Sequence, residues 1–360
     1  MRQRGGLGRR SSRRQGTISP GRSPFLTSSR NGAYSSRNGH HPRKRGSHVW
    51  LAVLVTGVLC LGVLLGLMAG GTAGPERAAQ TRQPARGTRA TALAPPPRPA
   101  YGWVPAAPAE RVAVKLKRPL RSGLLFDVHT GRVLWARNQD RVLPIASLTK
   151  MMTALLVMAH SRPSDHVLIT PQAVHFSGSG VGLLPLGKRV PLMALLYGLL
   201  LPSGNDAAIA LAQHVAGTQS RFVAMMNERA QAMGLQCTHF SSPSGILDRG
   251  NHSCVGDLAI LAHQMLEQPP LARIVSSRTA VVRFPIKGGK LYLYNNNPLL
   301  VLGYPGTDGV KTGYTNAAGH CLVATVRRGG RWLGVVLLHS YETGLQAPTI
   351  LNAAFGQAHG

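Results

Sequence analysis

The chain of 360 residues is long enough for one large domain with accessory segments. It holds 41 Lys and Arg against 12 Asp and Glu, a formal net charge of +29. Residues 1–47 alone contain twelve of the basic residues and no acidic one, without the interleaved aromatic residues of a single-strand nucleic-acid platform. Residues 48–111 add six basic and two acidic residues, so the segments before residue 112 carry +16 of the net +29. The charge therefore lies largely outside the folded part, and we predict no nucleic-acid partner.

The four cysteines and fourteen histidines form no metal-ligand pattern. Cys60 lies in a hydrophobic run, which leaves Cys237, Cys254 and Cys321 in the remainder of the chain. An odd number argues against a disulfide framework, although it leaves room for one bridge. Neither a Cys-x-x-Cys pair nor a Cys/His spacing suggests zinc, so no metal is predicted.

The first three segments precede any globular pattern. Residues 1–47 are mostly Arg, Gly and Ser, and they bury too little apolar surface to offset chain entropy, so we expect a disordered cytoplasmic tail. Residues 48–70 hold an uncharged run long enough to cross a bilayer core of roughly 30 Å. Basic residues at 43–45 orient this anchor with the remainder of the chain outside the cytoplasm. A cleavable signal sequence is the alternative, and it exports the same part.

Residues 71–111 are rich in Pro, Ala, Arg and Thr, which is typical of a semi-rigid linker. The folded domain, 112–360, begins near Val112. Two short apolar runs, 123–127 and 133–136, are joined by a turn that contains Gly131, and together they predict a β-hairpin.

A helical stretch follows from Ser147 to Ala159, where apolar residues recur at three- and four-residue steps. The same periodicity predicts further helices at about 191–201, 205–216, 219–233 and 255–267. Runs at 321–326 and 332–339 form a second hairpin, and their nearly continuous apolar character implies helices on both faces. This element order predicts one antiparallel sheet that joins both hairpins.

The predicted nucleophile helix opens with Ser147-Leu148-Thr149-Lys150. Positions i and i+3 share a helix face, so the hydroxyl and the amine are neighbours. A serine hydroxyl needs an adjacent base, and burial near a helix N-terminus favours a neutral lysine. We interpret Ser147 as a nucleophile and Lys150 as its base. The four letters alone are also typical of a capping serine with a surface lysine.

A second motif, Ser203-Gly204-Asn205, precedes an Ala-rich helix. Ser, Gly and Asn are common at helix N-termini for structural reasons alone. In the functional interpretation, Ser203 relays a proton to a leaving amine. Asn205 then hydrogen-bonds the substrate backbone.

A third motif, Lys311-Thr312-Gly313, lies on a predicted strand that enters the last hairpin. Gly313 leaves room for a substrate backbone at the strand edge. Lys311 and Thr312 offer a cation and a hydroxyl to a carboxylate. The structural alternative is an edge strand that a lysine protects from pairing.

The three motifs, in this order on helix, loop and strand, are those of penicillin-recognising serine enzymes. From about Leu124 to Leu338 the chain resembles the D-alanyl-D-alanine carboxypeptidases, the low-molecular-mass penicillin-binding proteins. The stretches 240–245 and 318–324 also resemble that family. The resemblance implies an α+β fold of the β-lactamase/transpeptidase type: an antiparallel sheet flanked by helices on both faces, plus a helical subdomain that holds the second motif.

The same resemblance implies a serine peptidase that removes the terminal D-alanine of peptidoglycan stem peptides through an acyl-enzyme on Ser147, without a cofactor. The backbone N–H groups of Ser147 and Tyr314 would form the oxyanion hole. β-Lactam antibiotics would be covalent inhibitors. We expect a single-pass protein of the bacterial cell membrane with its catalytic domain outside.

Several alternatives remain open. A β-lactamase needs a further base, but residues 151–202 contain no Glu and one acid, Asp165, so we expect slow deacylation of penicillin. A DD-endopeptidase that cuts cross-links would use the same site. A penicillin-binding wall sensor without turnover is disfavoured because the motif residues are retained.

Other expectations concern the surroundings of the motifs. Residues 251–254 stand where the family resemblance implies a stretch with Tyr or Thr. The apolar loop 180–183 has a simpler sequence than the resemblance implies. Arg327 and Arg331 are candidates for helping Lys311 to bind a carboxylate. About twenty residues follow the last strand, so we expect one terminal helix and no second domain.

Overall fold

The computed structural model describes residues 111–356 and the two-residue strand β1, Val104–Pro105. The predicted tail and membrane anchor, and all but the end of the linker, lie outside these residues. Within them, every helix is too short or too polar to cross a bilayer. The backbone N–H of Val112 donates to the carbonyl of Leu134 at 2.9 Å, which joins the start of the described range to the strand that contains Leu134.

A six-stranded sheet forms the centre of the domain, with the order β1-β3-β2-β12-β11-β10. Beside β1 its strands are β2 Ser122–Asp127, β3 Arg132–Arg137, β10 Thr307–Thr315, β11 Gly319–Arg328 and β12 Arg331–Ser340. All neighbours are antiparallel except β1 and β3. Because β2 pairs with β12, the two hairpins join in one sheet, as predicted. Strand β10 is left at an open edge.

The helices are α1 Lys150–His160, α2 Pro171–Val174, α3 Leu192–Leu200, α4 Asn205–Ala216, α5 Gln219–Ala232, α6 Val255–Leu266, α7 Pro269–Ser276, α8 Pro298–Val301 and α9 Thr343–Gly356. Three small two-stranded sheets pair β4 Leu143–Pro144 with β7 His252–Ser253, β5 His166–Leu168 with β6 Arg189–Pro191, and β8 Thr279–Arg283 with β9 Lys290–Tyr294. The four later predicted helices match α3, α4, α5 and α6 to within two residues at each end.

The central sheet is buried on both faces. Alternate residues of its strands, such as Phe126 and Val336, join one core cluster with α1 and α6. Leu125 and Leu337 join a second cluster with α9 on the opposite face. Each face thus removes apolar side chains from water, at about 25 cal/mol per Å². This two-sided burial confirms the predicted α+β class with helices on both faces of the sheet.

The nucleophile helix differs from its prediction in the first turn. Ala146–Thr149 form a 3-10 turn, and α1 begins only at Lys150. Ala146 has a φ of +48°, an uncommon conformation for a residue with a side chain. Gly245, with a φ of +76°, packs against the Ala146 carbonyl so closely that a Cβ at Gly245 would overlap it. The sharp entry into the helix is therefore fixed by its tertiary neighbour.

One disulfide joins Cys237 and Cys254, and Cys321 is a buried free thiol. The sequence allowed one bridge but did not determine its pairing. Burial raises the pKa of the Cys321 thiol to about 12, so the neutral form predominates.

Candidate active site

Ser147 and Lys150 lie on one turn of backbone, as the i, i+3 spacing predicts. The Lys150 Nζ is 2.8 Å from the Ser147 Oγ. Ser147 is partly exposed, whereas the Lys150 side chain is fully buried. The hydroxyl therefore reaches solvent while its neighbouring amine does not.

The amine of Lys150 has two further partners, the Asn205 Oδ1 at 2.7 Å and the Ser244 carbonyl at 2.7 Å. Burial, and then the charge of Lys311, lower the pKa of Lys150 well below its usual 10.5, although Asp206 opposes this shift. A neutral amine has two N–H donors and one lone pair. The two carbonyl oxygens accept the donors, which leaves the lone pair directed at the Ser147 hydroxyl.

The second motif connects α3 to α4. Ser203 has a φ of +68°, which turns the chain sharply before α4 begins at Asn205. The Asn205 Nδ2 donates to the Ser177 carbonyl at 2.7 Å. The Asn205 Oδ1 already accepts a hydrogen bond from Lys150. The side-chain amide that we expected to contact the substrate therefore connects Lys150 to the 177–179 loop.

The third motif lies on the edge strand β10. The Lys311 Nζ donates to the Ser203 Oγ at 2.9 Å and to the Thr312 carbonyl at 2.8 Å. Burial lowers the pKa of Lys311 to about 7. The second and third motifs are therefore in direct contact, and both lysines of the site are buried amines with lowered pKa values.

The close packing around Gly313 explains why the third motif ends in glycine. A Cβ at this position would lie 3.0 Å from the Ile145 carbonyl oxygen and 3.1 Å from the Ser147 nitrogen. Those distances are tighter than ordinary van der Waals contact, so a side chain at residue 313 would force β10 and the nucleophile turn apart by a few tenths of an ångström. The two amides predicted for the oxyanion hole, Ser147 and Tyr314, belong to these adjoining backbone segments.

A cleft of about 310 Å³ opens over these groups. Its lining residues are Ser147, Ser179, Ser203, Asn296, Pro298, Thr312, Gly313, Tyr314, His320, Cys321 and Thr343. Five of the eight predicted site residues line the cleft. The other three, Lys150, Asn205 and Lys311, lie behind its wall and are almost fully buried.

Sequence reasoning missed the groups that hold the motif residues in place. The Ser244 carbonyl binds Lys150, but a backbone acceptor has no signal in the sequence. The Asp206 carboxylate accepts the N–H groups of Val181 and Gly182, each at 2.9 Å, and so fixes the plain loop at 180–183. In the atypical stretch at 251–254, the Asn251 side chain exchanges hydrogen bonds with Thr149. An acid directly after the second motif was the one available clue.

Neither arginine suggested as a helper of Lys311 lines the cleft. The Arg327 Nε binds the Asp308 Oδ2 at 2.9 Å, and its guanidinium stacks 3.4 Å from the Trp332 ring centroid. Arg331 donates to the Ala354 carbonyl at 2.9 Å. Both guanidinium groups bind other residues of the sheet and α9.

Comparison with known proteins agrees with this geometry. Residues 114–341 match the Peptidase_S11 family, described as D-alanyl-D-alanine carboxypeptidase. The D-alanyl-D-alanine carboxypeptidase DacF of Bacillus subtilis is 35% identical over 251 residues, which cover 68% of this chain and 64% of DacF. The D-alanyl-D-alanine endopeptidase of Pseudomonas aeruginosa is 36% identical over 225 residues, 61% of this chain and 72% of that protein. The match to DacF thus spans less than two thirds of its length.

Solved structures share the fold. The Streptomyces K15 DD-transpeptidase is 31% identical, with a TM-score of 0.63, over 68% of this chain and 100% of that chain. A D-alanyl-D-alanine carboxypeptidase from Mycobacterium tuberculosis H37Rv is 31% identical, with a TM-score of 0.64, over 72% of this chain and 96% of the other.

Proposed function

The chain belongs to the D-alanyl-D-alanine carboxypeptidase family, and from that premise we propose that it removes the terminal D-alanine of peptidoglycan stem peptides through an acyl-enzyme on Ser147. The observation that carries the proposal is the contact between the buried Lys150 amine and the Ser147 hydroxyl at 2.8 Å. A base held neutral beside a partly exposed serine is what nucleophilic catalysis requires.

In the acylation step, the Lys150 lone pair takes the proton of the Ser147 hydroxyl while the serine oxygen attacks the carbonyl carbon of the penultimate D-alanine. The N–H groups of Ser147 and Tyr314 hold the oxygen that becomes negative. Removing one donor of this kind from an enzyme typically costs about 3–4 kcal/mol of transition-state stabilisation.

Collapse of the tetrahedral intermediate breaks the peptide bond and needs a proton on the leaving amine. Lys150 carries the proton that it took from Ser147. In the proposed relay, the Ser203 hydroxyl gives its proton to the leaving amine and takes the proton held by Lys150, which leaves Lys150 neutral for the next step. The Ser203 hydroxyl lines the cleft, and it accepts a hydrogen bond from the Lys311 Nζ at 2.9 Å. In deacylation, water enters the vacated space and attacks the acyl carbon while Lys150 takes its proton. The ester bond to Ser147 breaks, and Lys150 returns the proton to the Ser147 oxygen. The two steps use side chains, backbone N–H groups and water, and they require no cofactor.

The substrate would lie along the open edge of β10, with its terminal carboxylate towards Thr312 and within the field of Lys311. Asn205 acts mainly by orienting Lys150, and it contacts the substrate backbone only if its amide exchanges a partner. β-Lactams imitate the same acyl donor and would trap Ser147 covalently. Deacylation should be slow, since residues 151–202 contribute no glutamate as a further base.

The DD-endopeptidase is the second candidate function, because a relative that is 36% identical bears that name and the same chemistry cuts either bond. Incubation with a synthetic stem pentapeptide and with a cross-linked dimer separates the two activities. The proposal expects D-alanine release from the pentapeptide, abolished by Ser147→Ala. Cleavage of the dimer alone would favour the endopeptidase. Covalent labelling by penicillin without turnover of either substrate would favour the wall sensor.

We further propose that the protein is anchored in the bacterial cell membrane through residues 48–70, with the catalytic domain outside the cytoplasm. The support is the uncharged run and the basic residues that precede it. That segment lies outside the described residues. The proposed wall substrate is consistent with an exported domain.

A further inference from the structure

One side chain on the cleft wall has no role in the mechanism above. Among the residues that line the cleft in the described part of the chain, His320 alone carries a basic side chain. It is exposed, and its ring centroid lies 4.7 Å from that of Tyr314. His320 lies outside the three motifs, in the family-like stretch 318–324, and no role was predicted for it.

The strand register sets His320 beside Thr312. His320 pairs directly with Tyr314, and Thr312 is the next residue of β10 on the same face, since side chains alternate along a strand. Thr312 pairs with Leu322, which belongs to the core cluster packed against α9. Thr343, the first residue of α9, lines the same cleft. A hydroxyl, an imidazole and a helix N-terminus therefore meet at this end of the cleft.

Lys311 cannot bind the substrate carboxylate directly unless its side chain moves. It alternates to the other face of β10, is 1% exposed, and donates to the Ser203 hydroxyl and the Thr312 carbonyl. A carboxylate that enters the cleft would meet the Thr312 side chain first and feel Lys311 only through its field. Among the described residues of the cleft wall, His320 is the one basic side chain that could supply a second direct donor to the carboxylate.

We propose that His320 is a specificity-determining residue that hydrogen-bonds, together with Thr312, the terminal carboxylate of the substrate. The inference rests on the proposed carboxypeptidase function. A ring N–H is available in either tautomer, and a hydrogen bond to an ionised acceptor is about twice as strong as a neutral one. The Tyr314 ring packs against one side of the His320 imidazole and limits its movement. The N-terminus of α9 adds a positive partial charge.

The test compares His320→Ala with the wild type on two peptides, one ending in D-alanyl-D-alanine and one in D-alanyl-D-alaninamide. Loss of one hydrogen bond to a charged group should lower kcat/KM for the free acid by about tenfold or more, mainly through KM. The amide should be unaffected. An equal loss on both peptides, or no loss on either, would overturn the inference.

Arg118→Ala is the matched control. Its guanidinium stacks 4.1 Å from the ring centroid of Tyr341, which follows the cross-strand partner of His320, but Arg118 does not line the cleft. The Arg118→Ala substitution removes a cation from the same corner of the sheet and should leave kcat/KM for both peptides unchanged. A selective loss on the free acid equal to that of His320→Ala would assign the effect to general charge and overturn the inference.

A second readout separates this inference from the proposed function. If the wild type releases no D-alanine from either peptide, the proposed function is wrong. The rate at which a penicillin labels Ser147, as the free acid and as its methyl ester, still tests His320. His320→Ala should slow the free acid alone. Equal slowing of both forms, or no slowing of the free acid, contradicts the role of His320.

Discussion

At the scale of single residues, chemistry depends on the protonation state of two buried amines. Lys150 and Lys311 are both almost fully buried, and desolvation is the main cause of the lowered pKa in each case. Their partners differ, because Lys150 contacts the nucleophile whereas Lys311 contacts the serine of the second motif. The first lysine must be neutral to act as a base, and the second contributes only while it is charged.

Replacing the base tests the first requirement. Lys150→Arg keeps a long cationic side chain that does not deprotonate, and Lys150→Ala removes the amine. Both variants should lower D-alanine release and penicillin labelling by about 10²–10⁴-fold, the usual contribution of a general base. Lys287→Arg, at an exposed lysine, is the control and should retain wild-type rates. Wild-type labelling of Lys150→Arg would show that another group activates Ser147.

The pH profile tests both lysines together. Raising the pH deprotonates Lys150, so kcat/KM should increase on the acidic side of the profile. Lys311 loses its charge as the pH rises through about 7, so attraction for the carboxylate should then decline. For the free-acid peptide, kcat/KM should therefore show a descending limb centred near 7. The amide-capped peptide should lack that limb, and an identical limb for both peptides would remove Lys311 from carboxylate binding.

At the scale of elements, the site depends on the close approach of three backbone segments: the nucleophile turn, β10 and the 244–245 turn. Helix positions and the two hairpins could be predicted because apolar periodicity reports on burial. The 3-10 start of the nucleophile helix could not, since it follows from packing against Gly245. Ser244 and His320 also escaped prediction. One acts through its backbone carbonyl, and the other reaches the cleft only through the register of β10 and β11.

Gly245→Ala tests this close approach. An added Cβ would overlap the Ala146 carbonyl, so the nucleophile turn must shift. Gly288→Ala is the matched control, because Gly288 has a similar φ of +88° and nothing within 4 Å of its Cβ position. Both variants should lose about 1 kcal/mol of stability from backbone strain. Only Gly245→Ala should lose a further 1–3 kcal/mol and its penicillin labelling.

Thermal unfolding and fluorescent penicillin labelling measure these effects side by side. Equal stability and equal labelling of the two glycine variants would mean that the 244–245 turn does not position Ser147.

At the scale of the whole molecule, the described domain contains all the motif residues. Its proposed function on peptidoglycan also depends on export of the domain from the cytoplasm. The sequence led to the candidate site because three short motifs occur in the order that the family resemblance implies, and the structure brings their residues together around one cleft. It did not determine which cysteines pair, since spacing alone does not select a partner. The membrane anchor stays a prediction from charge and hydropathy.

Replacing Leu59 and Leu61 with arginine tests that anchor. Each arginine near the centre of a membrane helix costs roughly 2.5–3.5 kcal/mol of insertion free energy. The full chain should resist alkaline carbonate extraction from bacterial membranes, whereas the double variant should be released or fail to be exported. Release of the unaltered chain by carbonate would favour a cleaved signal sequence.

The central claim is that Lys150 is a neutral amine in the free enzyme at the pH at which it works. Nuclear magnetic resonance of protein labelled with ¹³C at the lysine ε-carbons measures this directly, and the resonance that Lys150→Arg removes identifies the residue. We expect Lys150 to titrate well below the usual lysine pKa of 10.5. A Lys150 resonance that titrates near 10.5 would contradict it, because a protonated amine cannot accept the proton of Ser147.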